Sequence, residues 1–369
     1  MKWVRFLSYL LAAVLLSGCG ELAYYSQCVT GHLHLMSRAR PITAVLNDPE
    51  TSPELHERLS RVLEIRNFAS RELNLPENGS YRSYADLQRP YVVWNVVATP
   101  EFSVDPITWC FPVAGCVPYR GYYKEESARR FAEQLKEQGH DVQVYGVAAY
   151  STLSWFNDPV LNTFSHREET SLAALIFHEL AHQQVYVKND SSFNEAFAVA
   201  VELEGVERWL EARGNSEQIE KYRKRFVREE EFVLLLLEMR SRLMQVYALP
   251  LDEDLMRSKK EETFELFRND YAQLKERWDG YAGFDSWLNR PLNNAHFASV
   301  STYRTLVPAF QSLLVRHGGN LKQFYTEAQR LADLPREERS LVLAHWLEKG
   351  REIPYLTVDA EFPESHPQF

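Results

Sequence analysis

The chain has 369 residues, 45% hydrophobic and 25% charged, with 51 acidic against 41 basic residues and a formal charge of −10. That balance fits a globular protein with one large core or two moderate ones and excludes a disordered chain. The acidic excess excludes a nucleic-acid-binding surface, which needs a basic stripe.

The chain opens with MKWVRFLSYLLAAVLLSGC, in which Lys2 and Arg5 precede an apolar run from Phe6 to Leu16 and the small residues Ser17 and Gly18 stand before Cys19. A run of about eleven residues is too short to cross a bilayer, so residues 1–18 read as a signal peptide. Leu16-Ser17-Gly18-Cys19 resembles the lipobox of bacterial lipoproteins, at which the signal is removed and the new N-terminal cysteine is acylated. The resemblance implies lipidation of Cys19 and, because Gly20 rather than Asp follows, an outer-membrane anchor facing the periplasm. The membrane is then reached through the lipid alone. Loss of residues 1–18 leaves 39 basic against 51 acidic residues, a charge of about −12.

Residues 28–75 read as helical, with turns at Pro41, Pro49 and Pro53. YVVWNVVAT (91–99) and DVQVYGVAAYST (141–152) are rich in Val and Tyr and read as strands, with the helix KEESARRFAEQLKEQG before the second. Between them, Cys110 and Cys116 in WCFPVAGCVPYRGYY can close a small loop, and in an oxidising compartment a disulfide is expected there. Beyond the second strand, SLAALIFHELAHQQVYV has a helical pattern. Apolar periodicity then predicts a helical hairpin over 217–247 and 254–278, and a final helical block over 294–331 broken at Gly318-Gly319. The expected fold class is α+β, mostly helical, with a small sheet. An α+β core is expected over 19–210, and a helical region over 211–369 that completes its cleft.

The stretch FHELAHQQVYVKNDSSFNEAFAVAVELEG, residues 177–205, carries the chemistry. Residues four apart share a helix face, so His178 and His182 can reach one ion, and Glu179 beside the first can act as a base. Zinc accepts imidazole nitrogens, and a catalytic zinc site uses three protein ligands while keeping one position open. The first helix is expected to end near Lys188-Asn189-Asp190, with Ser191 or Ser192 capping a second helix that brings Glu195 back as third ligand. Two other readings stand beside this one: histidines bonded to backbone in a core helix, and a Glu195 that only closes a capping box with Ser192. Glu202 is the competing ligand.

HELAHQ followed by NEAFAVAVELEG resembles the paired helices of the aminopeptidase N family of gluzincins. The resemblance implies one Zn2+ per chain held by His178, His182 and Glu195, with Glu179 as base and Glu202 supporting the site. It also implies peptide substrates. This sequence departs from that family in two respects: only twelve residues separate His182 from Glu195, and no Gly-x-Met-Glu-Asn motif is present to bind a free amine. The wider arrangement of lipoprotein signal, GCVPYRGYY, AYSTLSWFNDP and HELAHQ resembles a bacterial lipoprotein family labelled as aminopeptidases. An aminopeptidase is therefore expected, with an endopeptidase of the cell envelope or a non-catalytic metal-binding scaffold as alternatives.

Other residues are candidates for holding substrate. VYGVAAYSTLSWFNDP can present an edge strand to an extended peptide or simply pack as a strand. Arg120 can bind a substrate carboxylate or form an ion pair. Tyr303, with His296 on one predicted helix face, can stabilise an oxyanion, or either can be core packing. His32 and His34 in GHLHL share a face if that stretch is a strand, although local packing explains them more simply. The run Arg228-Glu229-Glu230-Glu231 reads as a solvated helical face.

Overall fold

The computed structural model describes residues 21–111, 115–152, 155–298 and 306–350, so Cys19 and Tyr303 lie outside the described residues. The chain begins with helix α1 (residues 21–37), which includes the GHLHL stretch, so His32 and His34 do not alternate along a strand. His32 instead bonds Tyr150 Oη through Nδ1 at 2.8 Å, and its ring meets that of Phe156. Strand β1 (Arg40–Pro41) and helix α2 (Ile42–Leu46) lead to α3 (Pro53–Arg71). Ser52 caps α3 by accepting from Leu55 N at 3.3 Å, and Pro53 occupies the first turn, where its missing N–H costs nothing.

The sheet region is small. Strand β2 (Ser83–Ala85) precedes β3 (Val93–Pro100), the hairpin β4 (Trp109–Phe111) and β5 (Gly115–Val117), β6 (Arg120–Tyr122), helix α4 (Glu125–Glu137) and β7 (His140–Val147). The order β6–β3–β7 is antiparallel throughout, and β7 forms its edge. Cys110 and Cys116 face each other across the β4–β5 hairpin and form the expected disulfide, while Gly115 takes a φ of 74° that favours glycine. Helix α4 lays Ala128, Ala132 and Leu135 against Trp94, Val96 and Val142 of the sheet. Strand β8 (Val160–Leu161) runs parallel to β2, which pairs with β1 on its other side.

The rest is helical, so the fold is α+β and mostly helical. Short α5 (Asn162–Ser165) leads into α6 (Glu169–Gln184), α7 (Ser191–Ala212), α8 (Ser216–Tyr247) and α9 (Glu253–Arg277). After α10 (Asp285–Leu288) and α11 (Asn294–Ala298) come α12 (Val307–Arg316), α13 (Leu321–Ala332) and α14 (Arg336–Gly350). The largest core gathers α3, α6 and α7 together with α12–α14, including Phe177, Phe197, Phe310 and Phe324. Helices α8 and α9 share a second, aromatic core of Phe232, Phe267, Tyr271 and Trp278. The 228–231 run is not a freely solvated face: its residues are half-buried, and Glu231 accepts from Trp278 Nε1 at 2.5 Å.

Candidate metal centre

Helix α6 is apolar nearly all round, and Leu172, Ala173, Ile176, Phe177, Leu180 and Ala181 are buried in the main core. A polar side chain in such a helix is costly unless something meets it. His178 and His182, one turn apart, meet each other: their Nε2 atoms lie 3.2 Å apart. Glu195 of α7 reaches the same point, with its carboxylate oxygens 3.4 Å from His178 Nε2 and 3.6 Å from His182 Nε2. The site opens to solvent at Glu195, whose side chain is 38% exposed. One donor atom from each of the three residues lies within 4.8 Å of the others, so this set can hold a metal ion.

The connection between the two helices explains how so short a spacer suffices. Helix α6 ends at Gln184, before the expected Lys188–Asp190, because Val185 already adopts extended backbone. Asn194 then clamps the turn, accepting from Val187 N at 2.7 Å and donating to Val187 O at 2.8 Å. The cap of α7 is Asp190, not Ser191 or Ser192: its side chain accepts from Phe193 N at 3.1 Å. Arg339 of α14 secures the other carboxylate oxygen of Asp190 at 2.7 Å. With the helix capped there, Glu195 stands past the first turn, and the capping-box reading of it fails.

Two turns beyond Glu195 on the same face, Glu202 lies behind His178 rather than beside the triad. Its Oε2 is 3.1 Å from His178 Nδ1, and its Oε1 accepts from Tyr222 Oη of α8 at 2.9 Å. Burial alone would lower the pKa of His178, but hydrogen bonds with Glu195 and Glu202 outweigh it and raise the value to about 10. Burial and the nearby charge of His178 push His182 down to about 4. Glu179 is raised to about 7, chiefly by burial, with His178 pulling down and Glu195 and Asp158 pushing up.

Asp158 was not singled out in the sequence, nor were Asp190, Asn194, Tyr222 and Arg339. Asp158 is buried, accepts from Thr152 N at 2.9 Å and Thr152 Oγ1 at 2.8 Å, and adds its charge to the burial that raises the pKa of both Glu179 and Tyr81. The Asp-x-x-Phe-Asn-Glu order at the start of α7 carried a signal for Asp190, since Asp is a strong cap. Tyr222 and Arg339 carried none, because they come from helices remote in sequence.

The remaining candidates are placed elsewhere. Arg120 is buried in β6, paired with Glu21 at 2.9 Å and stacked 3.9 Å over the Tyr24 ring, so its guanidinium is already engaged. His296 is buried in α11, with Nδ1 3.0 Å from Asn293 Oδ1 and its ring against Trp287. Strand β7 does form a sheet edge. Ile107 N bonds Ala98 O on the far side of β3 and Asn293 Nδ2 bonds Val142 O, so the backbone groups of Val142, Val144 and Gly146 face away from β3.

Fold and site together define a mostly helical α+β protein with a two-histidine, one-carboxylate cluster on a helix pair that can hold a metal ion. Residues 23–343 match the family described as "Putative aminopeptidase", and the chain belongs to that family. No curated protein and no solved structure matches it.

Proposed function

We propose that the protein is a zinc-dependent peptidase of the gluzincin kind, an aminopeptidase anchored through acylated Cys19 and facing the periplasm. The observation that carries this reading is the convergence of His178 Nε2, His182 Nε2 and the Glu195 carboxylate beside Glu179. Zinc–nitrogen bonds of about 2.0–2.1 Å at tetrahedral angles set neighbouring donor atoms about 3.3 Å apart. The two Nε2 atoms stand 3.2 Å apart, Glu195 Oε2 stands 3.4 Å from His178 Nε2 and Glu195 Oε1 stands 3.6 Å from His182 Nε2, so each histidine has a carboxylate oxygen close to that spacing. When bound, zinc supplies Lewis-acid polarisation of a carbonyl and of water.

The chain's own residues supply the rest. Glu202 holds His178 by its Nδ1, leaving Nε2 for the ion. The Glu179 carboxylate, which a neighbouring cation would favour in its ionised form, can take a proton from the attacking water and return it to the leaving amine. Beyond Val142, whose carbonyl Asn293 occupies, the outward backbone of Val144 and Gly146 on β7 can pair with an extended peptide, main chain to main chain. Family membership supports peptide hydrolysis. Among the described residues no helix is long and apolar enough to cross a membrane, and a lipid anchor requires none.

The test is mass spectrometry of products from one peptide, offered with a free or an acetylated N-terminus to the full chain in detergent, with Glu179→Gln as control. Stepwise loss of single residues from the free peptide alone is expected. Internal cuts in both peptides would replace the aminopeptidase with an endopeptidase, and no cuts would favour a metal-binding scaffold.

A further inference from the structure

Tyr222 lies outside the helix pair that carries the site, yet it is two hydrogen bonds from it. Its hydroxyl donates to Glu202 Oε1 at 2.9 Å, and Oε2 of the same carboxylate stands 3.1 Å from His178 Nδ1. A carboxylate with one oxygen engaged on each side cannot rotate without losing a bond, so its plane is fixed. A fixed carboxylate fixes the ring in turn. With Nδ1–H directed at Glu202, the neutral imidazole keeps its lone pair on Nε2, the atom that faces His182 Nε2 at 3.2 Å.

Packing fixes where the Tyr222 hydroxyl stands. Tyr222 and Phe226, one turn apart on α8, both pack against the main core. A void of about 70 Å³ beside them is lined by Glu202, Tyr222, Arg225 and Glu229 among others. Without the hydroxyl, Glu202 Oε1 faces a phenyl ring and that void, where a water can bond it but, unlike a hydroxyl carried on a packed ring, does not hold the carboxylate against turning from His178.

We propose that Tyr222 is a positioning residue of the metal centre: acting through Glu202, it holds His178 in the tautomer and orientation that present Nε2 to a cation. This rests on the zinc reading of His178, His182 and Glu195.

The experiment is a double-mutant cycle on metal affinity, not on turnover. The full chain in detergent, its Tyr222→Phe and Glu202→Gln variants and the double variant are stripped of metal. Each is then titrated with zinc against a chromophoric chelator, and thermal melts confirm that each is folded. Tyr222→Phe is expected to weaken zinc binding about tenfold in the wild-type background. In the Glu202→Gln background it should have less than about a twofold effect, because the route through Glu202 is already broken. The visible bands of the cobalt-substituted protein should shift in Tyr222→Phe, since the ligand field at His178 changes. Wild-type affinity in Tyr222→Phe, or the same loss in both backgrounds, overturns the inference while leaving the zinc reading intact. A wild-type chain that binds no zinc overturns both.

Discussion

The pairs α6–α7 and α8–α9 differ in residue type, the first mostly apolar and the second rich in charge, and they use their charges in opposite ways. In α6–α7 the helices are buried on nearly every face, and Glu195 and Glu202 turn toward histidines inside that core. In α8–α9 the charges mostly pair along exposed surfaces, as Lys221 does with Glu217 and Arg257 with Glu253, around an aromatic core that meets them at its edge, where Glu231 accepts from Trp278. Lys260 goes further inward: its buried ammonium bonds Asp141 of β7 at 2.6 Å and ties the second pair to the sheet. A carboxylate in a buried helix costs free energy unless it is partnered, whereas on a solvated face it costs almost nothing. The difference between the pairs is thus where the charge meets the core, and it is the first pair that carries the candidate metal-binding residues.

The comparison is broken most severely at Glu179. If the buried charge on α6 does chemistry, Glu179→Gln keeps its metal while kcat falls by about 10²- to 10⁴-fold, read by peptide turnover alongside metal analysis. Full activity in that variant would return Glu179 to a structural role. Next comes the clamp on the α6–α7 turn, where Arg339 and Asp190 have side chains only 5% and 13% exposed. Arg339→Ala leaves Asp190 buried without its partner and should cost about 3–5 kcal/mol in urea unfolding.

A smaller effect is set by pH. In the metal-free protein the pKa of His178 is raised to about 10, above its ordinary 6.5, so its proton stabilises the fold fully below about 6.5, and that contribution is lost as pH rises through 10. A metal ion must displace the same proton, so apparent zinc affinity should rise by about tenfold per pH unit between roughly pH 7 and 9. A flat profile over that window would show that His178 is already neutral. The smallest effect belongs to the other pair. Lys221→Ala removes an ion pair whose side chains are 61% and 77% exposed, and the thermal midpoint should not move measurably. A clear drop there would erase the distinction between the two helix pairs.

Much of this was legible along the chain. The ends of α8 and α9 fall close to where the apolar period starts and stops, because long amphipathic helices repeat their signal many times. The disulfide followed from two cysteines with six residues of separation in a turn-prone loop. The end of α6 was not legible, since Val185, Tyr186 and Val187 continue the apolar pattern while the chain is already extended. Arg120 was equally ambiguous: nothing near it in sequence announces that Tyr24 and Glu21 fill its surroundings.

The sequence by itself determined the spacing His178-x-x-x-His182 and the adjacent Glu179, since a helix of 3.6 residues per turn puts positions four apart on one face wherever that helix packs. It left open whether Glu195 caps a helix or meets the histidines, and what stands behind Glu202. Those outcomes belonged to the tertiary structure: Asp190 takes the cap, Asn194 clamps the turn at Val187, and Tyr222 arrives from a different helix. Hydrogen bonds of this kind depend on side chains meeting across the fold, and a local period carries no information about such meetings.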